Sequence, residues 1–438
     1  MTGTGGEDTA AGNALAAWLE RLEQLDPTRI EPGLERTARV LRRMGLDAPA
    51  FRVFAVGGTN GKGSVAAYLT ELLTAAERGP VGTYTSPHLA DYCERIAVDG
   101  RPVEAGRLVA ALEAVEAARD DTPLTYFEFG TAAALEVFRR AGVREAVLEV
   151  GLGGRLDAVN AVDSAAAAVV SVGLDHQRWL GNDRDSIGRE KAGIFRRGRP
   201  AIIGDRDPPD GLLAAAREIG CDEWRIGRDF EAEGDGEAWT YRGRGLSRGP
   251  LRAPGIPGRH QRDNAAVALA LLESVAPGSV PPAGRTGDAV ASVRLGARLE
   301  RRFGEGIEWV LDVGHNPQAA AALADWLERA EPRRTLAVFA MLADKDARAV
   351  AAAVAGCVDA WYLGGLGGQR GQDAMALAER LGDAISAPVL CENIPEAVEA
   401  AVRAARPSDR ILVFGSFHTV GEALHTGRVP REDACAKG

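Results

Sequence analysis

The sequence predicts an α/β fold with two domains, each organised around a mostly parallel sheet. Three observations support this prediction. An apolar run, a glycine-rich turn and a helix follow one another at residues 53–76, as in parallel-sheet domains that bind phosphate. From Trp309 onward, short apolar strands alternate with helices, which indicates a second parallel sheet. The length of 438 residues exceeds what one hydrophobic core usually serves.

The turn after the first apolar run has the composition of a phosphate-binding loop. Residues 53–56 are predicted to form a buried strand and residues 64–76 a helix, and the glycines between them are Gly57, Gly58, Gly61 and Gly63. Backbone N–H groups can approach an anion there, Lys62 can reach its terminal phosphates, and Ser64 can face Mg²⁺. The spacing departs from the strict P-loop, because Val56 stands where glycine is expected and Gly63 follows Lys62. A glycine-rich turn without a ligand therefore stays open as an alternative.

The overall composition is that of a globular enzyme, with 46% hydrophobic and 26% charged residues. The formal net charge of −10 argues against nucleic acid as the main partner, because phosphate contacts need a basic face. The five cysteines are not spaced as metal ligands, which indicates free thiols in a reducing compartment. No signal peptide or membrane-spanning run is evident. We therefore expect a cytoplasmic monomer that acts on small molecules and has no membrane partner.

The chain begins with weak patterns and then reaches a second strand end. Residues 1–12 are predicted to be disordered, and residues 13–25 to form an amphipathic helix. Residues 81–89 form a strand and turn in which Ser86 lies near the carboxyl end, where ligands gather in α/β sheets. Taken alone, a serine at this place is more often a turn residue.

A helix is predicted to open at Thr125, with Glu128 at the spacing of a capping box. Tyr126 and Phe127 between them offer flat apolar surface to an aromatic ring. The capping role and a binding role are compatible.

Glu149 is the one charged residue of the apolar run 146–150. A carboxylate in a buried strand costs several kcal/mol unless it is paired or binds a cation. An ion pair with Arg155 is the structural alternative. We favour a cation, because a phosphate loop precedes this strand and Mg²⁺ prefers carboxylate and phosphate oxygens. The glycines that follow do not have dinucleotide-binding spacing.

Two further basic side chains are candidates for the site. His176 follows an apolar strand at residues 165–174, at a place where a metal ligand is possible. Lys191 lies in the run Glu-Lys-Ala-Gly-Ile. The alternative for Lys191 is an ordinary helix-surface lysine paired with Glu190.

The remaining chain divides into an irregular part and a regular part. Residues 204–258 are predicted to form a small β excursion or a long loop, and the next helix is capped by Asp263 or Asn264. A Pro/Gly/Ser-rich stretch at residues 276–285 marks a loop near the domain boundary. Beyond it we predict strands near residues 307–313, 335–340, 358–363, 388–390 and 410–414, with helices between them.

These motifs together resemble the Mur ligase superfamily, and most closely its dihydrofolate synthase/folylpolyglutamate synthase branch. The resemblance covers about residues 13–425 and rests on these runs: Gly-Thr-Asn-Gly-Lys-Gly-Ser at 58–64, Ser-Pro-His-Leu at 86–89 with Glu-Arg-Ile at 94–96, Thr-Tyr-Phe-Glu-Phe at 125–129, Gly-Leu-Asp-His at 173–176, and Asp-Val-Gly-His-Asn-Pro at 312–317. It implies a P-loop-type ATP-binding domain at residues 1–297 and a smaller Rossmann-like glutamate-ligase domain at residues 298–438.

The resemblance also implies roles for individual residues. ATP would be bound by Gly58, Thr59, Asn60, Gly61, Lys62, Gly63, Ser64, Asn264, Arg298 and Asp312. The pterin of the substrate would be bound by Thr125, Tyr126, Phe127, Glu128, Arg155, Leu156, Asp157 and Ala158, with a weak contact near Ile30. Mg²⁺ would be held by Ser86, Glu149 and His176. The catalytic set would be Lys62, Lys191 and His315, with Lys191 carbamylated on its amine and Lys345 orienting the acyl phosphate or glutamate.

The implied reaction is ATP-dependent ligation of L-glutamate to dihydropteroate and to folates through an acyl phosphate. An enzyme with folylpolyglutamate synthase activity alone is the near alternative. A ligase of cell-wall precursors would leave the pterin-side motifs unexplained. A nucleotide-binding regulatory protein without catalysis is a further alternative, because Arg178, Glu31-Pro32 and Gly296-Ala297 depart from the family pattern.

Overall fold

The computed structural model describes residues 4–25, 33–234 and 238–431. They form two compact units. The first comprises the described chain up to Gly255 together with His260–Val293, and the second comprises Ile256–Arg259 and the described chain from Arg294. Both units are α/β, and the predicted fold class is confirmed. The predicted boundary between residues 297 and 298 remains a prediction.

The first unit is built on an eight-stranded sheet with the order β4-β3-β2-β5-β1-β6-β7-β8. Six neighbouring strands, from β2 to β8, run parallel, and β3 and β4 form an antiparallel edge. The strands are β1 (Arg52–Gly57), β2 (Val81–Tyr84), β3 (Ile96–Val98), β4 (Arg101–Pro102), β5 (Glu145–Glu149), β6 (Ala166–Val169), β7 (Pro200–Ile203) and β8 (Asp222–Arg225). Because β1 and β5 are central and buried, the side chains at their carboxyl ends converge.

Helices connect these strands, as parallel pairing requires. They are α1 (Thr4–Glu23), α2 (Glu35–Met44), α3 (Lys62–Ala75), α4 (Ala105–Arg119), α5 (Tyr126–Arg140), α6 (Gln177–Leu180), α7 (Arg184–Ala192), α8 (Asp210–Ile219), α9 (His260–Val275) and α10 (Ala283–Ser292). The first helix begins at Thr4, so the prediction of disorder up to residue 12 is wrong for the described part. The weak pterin contact near Ile30 lies outside the described residues.

The prediction of a β excursion or long loop at residues 204–258 is wrong for residues 210–225, which form α8 and β8 of the main sheet, whereas a small antiparallel sheet does follow them. Its strands are β9 (Glu231–Glu233), β10 (Ala238–Arg242) and β11 (Ser247–Arg252), in the order β11-β10-β9. The buried Tyr241 hydroxyl donates to Glu273 of α9 at 2.6 Å, which ties this sheet to the helix layer.

The second unit is built on a six-stranded sheet with the order β12-β13-β17-β14-β15-β16, parallel except for the edge strand β12. The strands are β12 (Glu300–Gly304), β13 (Ile307–Asp312), β14 (Thr335–Phe339), β15 (Ala360–Gly364), β16 (Val389–Cys391) and β17 (Arg410–Phe414). The helices are α11 (Pro317–Arg329), α12 (Ala347–Val354), α13 (Ala374–Leu381), α14 (Ile394–Ala404) and α15 (Phe417–His425). The five predicted strands are all present.

Among the described helices, none combines the length and the apolar character needed to cross a bilayer.

Close packing of α5 on the sheet explains one glycine of β2. Gly82 is buried, and a Cβ added there would lie 2.7 Å from the Cδ1 atom of the buried Phe138. No side chain fits between the strand and the helix at this position.

We therefore expect Gly82→Ala to lower the free energy of unfolding by about 1–3 kcal/mol through overpacking. Gly106→Ala in α4 is the control, because its Cβ would meet Ala11 at an ordinary 3.7 Å. Denaturant unfolding of both variants checks the difference, and equal stability of the two would contradict the packing argument.

Candidate active site

The glycine-rich turn between β1 and α3 lies at the carboxyl end of the central strands. Gly61 precedes α3 with φ 84°, a conformation that favours glycine. The segment after β6 holds the turn: the Ser171 carbonyl accepts from Thr59 N at 2.8 Å, and the Ser171 hydroxyl accepts from Asn60 N at 2.9 Å. Strand, turn and helix N-terminus thus have the arrangement of an anion cradle.

Lys62 begins α3 and is directed towards the neighbouring strand end. Its Nζ lies 3.4 Å from the Thr59 carbonyl oxygen and 4.0 Å from Glu149 Oε1. A Cβ added at Gly63 would lie 3.6 Å from Glu149 Oε2. Ser64 is buried in the first turn of α3. The turn and the buried carboxylate are therefore immediate neighbours.

Glu149 ends β5 with only 5% of its surface exposed. Its Oε2 accepts from the Ser86 backbone N at 3.2 Å, so two of the three predicted metal ligands are in contact. The predicted alternative, an ion pair between Glu149 and Arg155, is wrong. Arg155 is exposed and pairs with Glu190 at 2.8 Å instead.

His176, the third predicted metal ligand, precedes the short helix α6 with φ 52°. Its backbone N donates to Asp175 Oδ1 at 2.8 Å, and its Nε2 lies 3.9 Å from Asp175 Oδ2. Within the described ranges, no three His, Cys, Asp or Glu side chains form a metal-binding group by themselves. The metal role of His176 stays a prediction. The sequence motif did not single out Asp175 as a site residue, although Asp175 directly precedes the histidine.

Lys191 lies in the last turn of α7 and is 3% exposed, so the alternative of a helix-surface lysine is wrong. Burial lowers the pKa of its amine to about 7, and the Lys62 ammonium acts in the same direction. The Asp175 and Asp157 carboxylates oppose the shift. The structure therefore brings Lys62, Lys191 and two acids into one electrostatic environment.

Asp157 is buried and serves two backbone groups. Its carboxylate accepts from Leu152 N at 2.9 Å and from Val159 N at 3.0 Å, which caps a 3₁₀ turn at Ala158–Ala161. Burial raises its pKa to about 6 against these hydrogen bonds and the charge of Lys62. Asp157 therefore shapes the loop whose residues the resemblance assigns to the pterin.

The predicted pterin-side residues at the start of α5 lie together. Thr125 and Glu128 form the predicted capping box. Glu128 is buried and also accepts from Arg36 Nη2 and Thr37 Oγ1 of α2, both at 3.1 Å. Its side chain therefore serves to hold helix ends together.

The two aromatic residues of this segment are half-buried. The Phe127 ring lies 5.8 Å from the Tyr84 ring, and a Cβ on Gly151 would lie 2.6 Å from its Cζ atom. This contact joins α5 to the loop 151–158, in which Leu156 is half-buried and Ala158 is buried. The aromatic surface and the Asp157 loop form neighbouring walls.

Asn264 lies inside α9, four residues after its start at His260, so the prediction of a capping role is wrong. Its side chain is buried, and its Nδ2 donates to Gln261 Oε1 at 3.0 Å. A Cβ added at Gly61 would lie 2.8 Å from Asn264 Oδ1. Asn264 thus packs directly against the glycine-rich turn.

In the second unit, Asp312 organises the turn that carries Arg298. Its buried carboxylate accepts from Leu299 N at 3.0 Å and from Gly314 N at 2.7 Å. Burial raises the pKa of Asp312, and the Arg298 guanidinium opposes this shift. His315 Nδ1 donates to the Val313 carbonyl at 3.0 Å. These three predicted residues are therefore grouped around the carboxyl end of β13.

Comparison with known families identifies both halves of the chain. Residues 56–272 match the Mur ligase middle domain, and residues 297–417 match the Mur ligase glutamate ligase domain.

Comparison with individual proteins narrows the family. The chain is 41% identical over 416 residues to the dihydrofolate synthase/folylpolyglutamate synthase of Escherichia coli K12, covering 94% of this chain and 96% of the relative. The structure of E. coli FolC in complex with DHPP and ADP is 40% identical, with a TM-score of 0.86 over 94% of this chain and 97% of that chain. A bifunctional folylpolyglutamate synthase/dihydrofolate synthase with Mn, AMPPNP and L-glutamate bound is 38% identical, with a TM-score of 0.86 over 95% and 98%. The chain belongs to the dihydrofolate synthase/folylpolyglutamate synthase family of Mur ligases and is an ATP-dependent ligase.

Proposed function

We propose that this protein ligates L-glutamate to dihydropteroate and to folates at the expense of ATP. One observation carries the proposal: the phosphate turn, the buried Glu149 carboxylate and the buried Lys191 amine lie in one environment at the carboxyl ends of parallel strands. One related structure contains DHPP and ADP, and another contains Mn, AMPPNP and L-glutamate. These ligands support the same classes of substrate for this protein, together with a divalent cation.

The chemical problem is that a carboxylate is a poor electrophile at neutral pH. Transfer of the γ-phosphoryl group of ATP to the carboxylate gives an acyl phosphate and ADP. The α-amine of glutamate then attacks the acyl carbon, the amide bond forms, and phosphate leaves. The protein's part is to position the reactants and to balance charge.

The residues near the glycine-rich turn are suited to positioning the reactants and balancing their charge. The backbone N–H groups of Gly58–Ser64 would surround the phosphates, and Lys62 would neutralise their charge. Asn264 supports the turn through its contact with Gly61 and would bind the nucleotide beside it. Arg298 and Asp312 would also bind ATP, and His315 and Lys345 would orient the acyl phosphate or glutamate.

The donor set at Glu149 fits a divalent cation. A carboxylate that is nearly fully buried, with a serine at contact distance and no side chain at Gly63, suits a small hard ion. Ser86, Glu149 and His176 would hold Mg²⁺. Bound there, the ion would offset the negative charge of the phosphates.

Lys191 is suited to carbamylation because its amine is largely desolvated. A pKa of about 7 leaves a large neutral fraction near neutral pH, and only a neutral amine captures CO₂. The carbamate would be an anion, whereas an ammonium at this position would repel a metal.

We also expect the protein to be cytoplasmic and monomeric.

The roles of Lys62 and Glu149 predict a large loss of activity on truncation. Lys62→Ala and Glu149→Ala should each lower the rate of glutamate-dependent ADP release by about 10³-fold or more, because Lys62 would neutralise charge on the triphosphate and Glu149 would hold the cation that does the same. Glu145→Ala is the matched control for Glu149. It lies at the other end of β5, bound to Arg78, and should lower stability while activity stays within a few-fold. Near-normal turnover in either site variant would contradict the assignment.

The environment of Lys191 predicts a pH-dependent carbamate. A ¹³C NMR signal from labelled bicarbonate should rise between about pH 6 and about pH 8, because the neutral amine fraction grows as pH passes the lowered pKa. Lys191→Arg should lack the signal and most of the activity. The same signal in Lys191→Arg would contradict carbamylation at this position.

The choice of acid substrate separates the two synthase activities. Glutamate-dependent ADP release should occur with both 7,8-dihydropteroate and a reduced folate. If only the reduced folate is turned over, the protein is a folylpolyglutamate synthase alone. ATP binding without turnover of either acid would indicate a regulatory protein.

A further inference from the structure

Arg95 is a buried cation that the roles described so far do not use. It lies between a short 3₁₀ turn at Tyr92–Arg95 and β3, and only 8% of its surface is exposed. Among the described residues, no carboxylate lies within ion-pair distance of its guanidinium. Buried charges are usually paired or occupied by a ligand, because desolvation without compensation is costly.

The neighbours of Arg95 hold its guanidinium without neutralising it. Its Nε donates to His88 Nδ1 at 2.8 Å. The guanidinium carbon lies over the Tyr92 ring at 5.1 Å and over the Tyr126 ring at 5.4 Å from the centroids. Nη1 and Nη2 make no hydrogen bond to the part of the chain that the structure describes. Two parallel donors are thus set in place by stacking and by one hydrogen bond.

Arg95 also lies beside the proposed reaction site. Its backbone carbonyl accepts from Thr85 N at 2.9 Å, next in the chain to Ser86. Tyr126, one of its stacking partners, belongs to the half-buried aromatic surface at the start of α5. The guanidinium of Arg95 therefore lies beside an aromatic surface that is suited to a flat ring.

We propose that Arg95 determines specificity for the oxidation state of the pterin, an inference that rests on the proposed function. Its Nη1 and Nη2 donate to the 4-oxo oxygen and to N5 of a 7,8-dihydropterin. These two acceptors lie side by side on one edge of the ring, as do O6 and N7 of guanine, which arginine recognises in a bidentate manner. Because aromatic side chains surround Arg95, we assign it to the pterin ring and not to the carboxylate of the substrate. That carboxylate must reach the phosphates beside Lys62.

The oxidation state of the ring decides whether both hydrogen bonds form. In a 7,8-dihydropterin the N5=C6 imine presents a lone pair to the arginine. In a 5,6,7,8-tetrahydropterin N5 carries a hydrogen, so only the 4-oxo oxygen accepts in plane. Arg95 therefore favours the dihydro ring.

The test compares 7,8-dihydropteroate with 5,6,7,8-tetrahydropteroate, which differ by two hydrogens across N5=C6. Dissociation constants and kcat/KM are measured for the full-length protein with ATP and Mg²⁺, for wild type, Arg95→Met and Arg95→Lys. We expect both variants to bind dihydropteroate about 10–100-fold more weakly, as for the loss of charge-assisted hydrogen bonds. Tetrahydropteroate should lose no more than about 5-fold, and the KM for ATP should stay unchanged.

The matched control is Arg101→Met, which replaces an exposed arginine of β4 in the same sheet edge and should change neither ligand's affinity. If the Arg95 variants lose affinity equally for both pteroates, Arg95 contacts the substrate carboxylate and the proposal is overturned. Unchanged affinity for both pteroates would also overturn it. Failure of both Arg95 variants to fold, judged by circular dichroism, would show that the cation is structural and would also overturn it. If wild type binds neither pteroate, the proposed function itself fails.

Discussion

The buried carboxylate of Glu149, beside the glycine-rich turn, governs the electrostatics of the candidate active site. Glu149 ends an otherwise apolar strand and is almost completely removed from solvent. Lys62 Nζ lies 4.0 Å from its Oε1, and the Ser86 N–H donates to its Oε2 at 3.2 Å. A bound cation would add opposite charge beside this carboxylate and would offset part of its desolvation cost.

The same burial sets the protonation of the groups around this carboxylate. It lowers the pKa of Lys191 and raises that of Asp157, so both side chains move towards their neutral forms near pH 7. Desolvation is the largest cause in both cases, and the opposing charges only reduce the shifts. An amine that is neutral at working pH can act as a nucleophile towards CO₂. The fold thus prepares the chemistry that the family resemblance implies for this lysine.

In each unit, a buried aspartate fixes a loop by accepting hydrogen bonds from two backbone N–H groups. In the first unit Asp157 accepts two backbone N–H groups and shapes the loop after β5. In the second unit Asp312 does the same for the turn around Arg298 and for Gly314. A buried carboxylate with two backbone donors fixes a loop more rigidly than solvent-exposed contacts can. Each loop then presents neighbouring side chains in a defined orientation.

Local patterns in the amino-acid sequence were sufficient to predict the fold class and the glycine-rich turn between β1 and α3. Local patterns carry this information, because glycine spacing, apolar runs and capping boxes depend on residues close in the chain. The five strands of the second unit and the Thr125–Glu128 box were predicted for that reason. The prediction that Asp263 or Asn264 caps this helix was wrong, because α9 already begins at His260.

The partners of the charged side chains became known from the three-dimensional structure. Arg155 could have paired with Glu149, yet it extends to Glu190 of α7, whereas Glu149 faces Lys62. Lys191 could have been a surface lysine, yet packing of α7 buries it. Such choices depend on distances between segments far apart in sequence and on the exclusion of water, and neither is encoded in a local motif.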